Sequence, residues 1–151
     1  MIDVDLVLAI AHHLAVFTLV GLFAAEFALL RPGLSARGVS QLARVDAAYG
    51  GIAGVVIIIG ILRVIFGTVG WEYYVGNHAF WGKMGAFLVM GLLAIPPTMA
   101  IRRWVKAGEG VADYLPPADE VSRNRRFLHL QAGVLLLIPI FAAMMARGYG
   151  N

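Results

Sequence analysis

The chain has 151 residues, 60% of them hydrophobic and only 14% charged, and its mean hydropathy is +0.81. Those values place it among integral membrane proteins and leave room for one small domain over residues 1–151. A formal charge of only +3, no basic patch interleaved with aromatics and no cysteine argue against nucleic-acid binding and exclude disulfides, c-type haem attachment and thiolate metal sites.

The chain begins Met-Ile-Asp-Val-Asp, acidic where a signal peptide would be basic, and the apolar run that follows is too long for a signal core, so the first helix is expected to be retained. That run, LVLAIAHHLAVFTLVGLFAAEFALL, covers residues 6–30 and is closed by Pro32-Gly33; ARGVSQLARVD then reads as a loop. A second apolar stretch covers 47–67, and GTVGWEYYVGNH follows it with Trp71, Tyr73 and Tyr74, rings suited to a membrane interface. The third stretch, 79–101, contains Pro96-Pro97 and is expected to bend or end early there. The long polar segment RRWVKAGEGVADYLPPADEVSRNRR leads to the fourth stretch, 127–146. Each stretch approaches the ~20 residues a helix needs to cross a bilayer. An open sheet is not available in lipid, so the expected fold is all-α, a four-helix transmembrane bundle. Glycines in YGGIAGVVIIIG and GKMGAFLVMG offer small residues for close helix approach.

Arg31, Arg37 and Arg44, then Arg102, Arg103, Lys106, Arg123, Arg125 and Arg126, put the first and third connections in the cytoplasm. Both termini then face outward, the periplasm for a bacterial inner membrane. Counting ~1.5 Å per residue from the outer ends places His12 about 9 Å deep and Arg63 and Lys83 about 6 Å deep. A second layer near the cytoplasmic edge holds Glu26, Asp46, Tyr49, His129 and Gln131. Ionisable residues in membrane helices are costly and usually face the bundle interior. Arg63 or Lys83 alone suits snorkelling to headgroups; with His12 they suggest one outer pocket. His13 points about 100° away from His12, whereas His12 and Glu26, nearly four turns apart, share a face, so His12 is taken as the inward histidine. Glu26 and His129 are expected to face each other as a pair joining the first and last helices, with Arg31 and Arg44 as other partners for Glu26. His78, at the outer edge, is a reserve ligand candidate, and Met84 or Met90 would suit a soft metal.

The segments AHHLAVFTLVGLFAAEFALLRPG, LARVDAAYG, NHAFWGKMGAFLVMGLL and RRFLHLQAGVLLLIPIFAAMMARG resemble, across nearly the whole chain, small four-helix membrane proteins related to HemJ-type protoporphyrinogen IX oxidase and an uncharacterised bacterial sister family. The long second and fourth stretches look closer to the uncharacterised family. In the oxidase group a first-helix histidine and a third-helix lysine are the functional pair and a b-type haem is bound, which implies catalytic roles for His12 and Lys83. The oxidase's last helix opens with an arginine and an Asn-Glu-Pro stretch, where this chain has Phe-Leu-His-Leu-Gln.

The residues themselves permit such a cofactor. An imidazole can ligate iron and cations can pair with propionates, so the expected haem b or porphyrin site uses His12 as metal ligand and Arg63 and Lys83 as anchors. His129 is a further cofactor-binding candidate, although more than ~10 Å of depth should separate it from His12. Lys83, Met84 or His78 would then supply a sixth ligand. The expected function is thus an integral membrane haem- or porphyrin-binding protein, redox-active or porphyrinogen-oxidising. The competing classes are copper or cation handling, small-solute transport through the two polar layers, and a purely structural protein. Expected partners are membrane lipid, haem or porphyrin, and a second copy of the chain.

Overall fold

The computed structural model describes residues 3–150; Met1, Ile2 and Asn151 of the expected domain lie outside them. Five helices follow one another: α1 (Val4–Leu29), α2 (Ala36–Phe66), α3 (Trp71–Gly76), α4 (His78–Ala107) and α5 (Ala118–Ala146). All but α3 are long and apolar enough to cross a membrane. The all-α, four-span architecture is therefore as expected, but its boundaries differ. Helix α2 starts at Ala36 rather than 47, because Ser35 caps it through the Gly38 amide and Val39 and Leu42 bury an inward stripe among the charged residues. Hydropathy marks only the part in lipid; a 31-residue helix is about 46 Å long against ~30 Å of hydrocarbon. For the same reason α5 begins at Ala118 rather than 127. The aromatic connection also holds α3, a single short turn-rich helix that hydropathy could not register.

Helix α4 does not stop at Pro96-Pro97 but runs on to Ala107. Pro97 has no N–H, so the carbonyl of Leu93, one turn earlier, loses its helical donor. The side chain of Gln131 replaces it, its Nε2 donating to Leu93 O at 3.3 Å while its Oε1 accepts from the Tyr49 hydroxyl at 3.2 Å. One fully buried amide thus ties α2, α4 and α5 at the proline break.

The bundle is two hairpins, α1 with α2 and α4 with α5, joined more sparsely along α2 and α4. At one end Arg125 of α5 donates to the carbonyls of Phe27 and Leu30, which lack helical donors at the C-terminus of α1. At the other, the Tyr73 hydroxyl donates to Met145 O, and Asn77 both caps α4 through the Phe80 amide and donates to Tyr149 O. The two arginine-rich connections therefore share one end and the aromatic connection shares the other with the C-terminal segment. Most of these glycines do not serve close approach as expected, although Gly60 and Gly82 do. A Cβ built on Gly50, Gly51, Gly54, Gly85 or Gly91 would meet no neighbour, so these positions leave space beside α2 and α4, while Gly82 alone of the membrane-level glycines on α4 sits under a ring, that of Phe141.

Candidate functional site

Helix α1 turns one stripe inward, with Ala15, Leu19, Phe23 and Glu26 buried. His12 continues that stripe toward the end that carries the aromatic connection. His13 lies on the exposed side with its Nδ1 held to Ala9 O at 2.7 Å, a bond that occupies the ring on its own helix. His12 makes no such bond: its Nδ1 is buried and without a hydrogen-bond partner. Opposite it on α2, Gly60 leaves room for the ring, a Cβ there lying 3.7 Å from His12 Cε1.

Arg63 lies one turn below the end of α2, where Gly67 N donates to Arg63 O at 2.9 Å. A side chain at Gly67 would collide with that carbonyl, so glycine fixes how the helix closes. Thr68 next to it donates to Asp5 at 3.3 Å, holding the end of α2 to the start of α1. The Arg63 Nε is buried and unpartnered. Lys83, on α4, packs its ammonium 5.5 Å above the Phe80 ring, within range of a cation–π contact.

These three side chains line one cavity of about 290 Å³ between all four long helices. The convergence matches the expectation from their depths. Its walls are Val16, Leu19, Val56, Phe87 and other apolar groups, and among the described residues no carboxylate lines it. Tyr74, expected at the lipid interface, is instead buried and closes this cavity. Ile57, Ile61 and Ile65 line it yet are exposed on the bundle surface, so the cavity opens sideways between helices. The arrangement can take an apolar body with anionic groups. Arg63 and Lys83 are half-buried with no carboxylate lining the cavity beside them, so the site favours an anion there.

The reserve residues fall elsewhere. Met84 joins the lining, whereas His78 is exposed and Met90 is buried below the cavity. His129 is not brought to the site: it is exposed near the other end, its ring edge-on to Phe27 at 4.9 Å and its Nδ1 on Arg125 O at 2.8 Å. Nor does it meet Glu26. Those two contacts hold the imidazole outward on α5, while Glu26 is turned in with Oε2 unpartnered, and neither Arg31 nor Arg44 reaches it. Among the described residues the ion pair formed is Arg103–Glu120, at 3.4 Å.

A second cavity of about 430 Å³ lies between α2 and α4, toward the end that carries the arginine-rich connections. Asp46, accepting from Thr98 at 2.6 Å, lines it with Tyr49, Arg102 and the open glycines Gly50, Gly51 and Gly91. Sequence reading had found Asp46 and Tyr49 as a polar layer but not the space beside them. Leu19 and Phe87 belong to the walls of both cavities.

A protein family described as "Predicted membrane protein (DUF2214)" matches residues 4–150. No curated protein matches the chain, and no solved structure does.

Proposed function

The chain belongs to the DUF2214 family of predicted membrane proteins, and from that premise we propose that it holds a b-type haem or a related porphyrin in its outer cavity. The observation that carries the reading is the meeting of His12, Arg63 and Lys83, from three helices, in an apolar cavity without an acid. The free Nδ1 of His12 and the free Nε of Arg63 fit such a group: one is a ring nitrogen able to ligate iron, the other a donor for a propionate. Lys83 provides a second cation for the other propionate. The sideways opening admits a flat macrocycle from the lipid and leaves one edge of it against hydrocarbon. The resemblance of His12 and Lys83 to the functional pair of HemJ-type oxidases supports the same reading.

When bound, a haem would supply one-electron redox chemistry near the outer face. The chain's own residues would bind and orient it: Leu19, Val56 and Phe87 exclude water, and the Phe80 ring holds the Lys83 ammonium at the cavity. Copper handling has less support, since two cations flank His12 and no group of three histidines or carboxylates gathers among the described residues. The test is an absorption spectrum of the purified protein produced with abundant haem. A Soret band is expected, and its absence in folded protein overturns the reading.

We further place the protein in a bacterial inner membrane with both termini outside, because the arginine-rich connections share one end. Ser40 and Ser122 are exposed at that end. Changed singly to cysteine, each is expected to react with a membrane-impermeant maleimide only after the cells are opened. Labelling of either in intact spheroplasts reverses the orientation.

A further inference from the structure

On the inward stripe of α1, His12, Leu19 and Glu26 are evenly spaced, each about two turns or ~10 Å from the next. His12 belongs to the outer cavity, Leu19 to the wall shared with the inner one, and Glu26 to the level of Asp46 and Tyr49, both of which interact with it electrostatically. Glu26 is 2% exposed, and its Oε2 has no hydrogen-bond partner. Nothing in the haem reading uses it. Yet a carboxyl buried in a membrane bundle is expensive, and such residues mark ion and proton routes.

The groups around it explain why it stands free. On α2, Asp46 is engaged by Thr98 and Tyr49 by Gln131. On α5, Arg125 is committed to the carbonyls of Phe27 and Leu30, and His129 to the Arg125 carbonyl. On α4, Arg102 is exposed at the mouth of the inner cavity. Among the described residues no cation closes on Glu26, so it is not half of a structural ion pair there. Above it, the two cavities are divided by Leu19, itself 2% exposed, and Phe87.

We propose that Glu26 is the proton-carrying station of a route through the bundle, from the cytoplasmic cleft between α2 and α4 to the outer cavity, with Leu19 and Phe87 as its hydrophobic barrier. Glu26 does not itself line the cleft, so a proton from hydronium there is handed inward past the wall formed by Asp46 and Tyr49 and forms an O–H bond on the Glu26 carboxylate. It is then passed to water above the Leu19 level, and the carboxylate is restored. No electron moves, and one positive charge crosses for each proton. The route stands apart from the haem reading, and its assay needs no haem.

The experiment uses the full chain in proteoliposomes containing a pH-sensitive dye, with the membrane potential clamped by potassium and valinomycin and a pH step imposed outside. Wild-type protein is expected to carry a slow proton flux above that of empty vesicles, and Glu26→Gln to remove it. Leu19→Ser, which hydrates the barrier, is expected to raise the flux several-fold, and the Leu19→Ser/Glu26→Gln double variant to return it to the empty-vesicle level. Leu14→Ser, on the exposed face of α1, should match wild type. Phe87→Ser serves as the second barrier variant if Leu19→Ser does not elute as a folded species. A hydrated barrier that conducts no faster than wild type, or one that conducts equally fast without Glu26, overturns the proposal.

Discussion

His12→Ala is expected to strip the protein of its Soret band, with haem retention falling by more than about tenfold, since loss of even an outer-shell partner of a ligating histidine costs 10–100-fold. The direction follows from the geometry: His12 carries the buried, unpartnered ring nitrogen of the outer cavity, while the neighbouring His13 is bonded to Ala9 and faces outward. Arg63→Ala and Lys83→Ala should behave differently. Each removes a cation rather than an iron ligand, so the band should stay in position while the cofactor is lost faster on dilution. A displaced band in Lys83→Ala would instead identify that amine as a ligand. His129→Ala is the control, being exposed and held to Phe27 and Arg125 away from the cavity. If His13→Ala loses the band and His12→Ala keeps it, the assignment of the inward histidine is wrong.

Gln131→Leu should lower the stability of the folded bundle by at least about 3 kcal/mol. Two interhelical hydrogen bonds disappear, worth ~0.6 kcal/mol each on average in a membrane protein. The Tyr49 hydroxyl and the Leu93 carbonyl are also left buried without partners, a penalty of roughly 1–3 kcal/mol for each group so stranded. Tyr49→Phe should cost less, because it removes its own hydroxyl along with the bond and leaves Gln131 still donating to Leu93. Denaturation in mixed detergent, followed by far-UV circular dichroism, gives the comparison. Equal midpoints for Gln131→Leu and wild type would show that the amide does not hold the proline break.

The four spans were legible because lipid imposes a simple rule, namely about twenty predominantly apolar residues, and the chain obeys it four times. The outer trio was legible for a related reason: rise per residue converts sequence position into depth, and charges at equal depth on different helices have few places to go but toward one another. Depth says nothing of rotation about the helix axis, and the failures lie there. His129 and Glu26 share a level, yet one faces out and the other in. Tyr74 belongs to an aromatic connection that suits an interface, but the turn of α3 rotates it into the cavity. Most glycines of α2 and α4, Gly60 and Gly82 excepted, border open space, because a small residue permits close approach and open space equally well and only the neighbouring helix decides. Helix ends outside the bilayer were missed where amphipathic stripes such as Val39 and Leu42 continue the helix without raising its hydropathy. Pro96-Pro97 marked a real defect in the backbone, but its repair by Gln131 depends on a residue far away in the chain.

His12 and Arg63 belong to one hairpin and Lys83 to the other, so neither half of the molecule possesses the outer cavity by itself. Whatever occupies that cavity binds the docked pair and not its separated parts, and must therefore draw the docking equilibrium toward the assembled state. An occupant at a hundred times its dissociation constant adds about 2.7 kcal/mol to the assembled state by mass action alone. That is a large increment for a seam as thinly packed as the one between α2 and α4. If the cavity is occupied in the cell, lifetime in the membrane becomes a function of the occupant's supply, and a cell short of it would hold less of the protein without altering its synthesis.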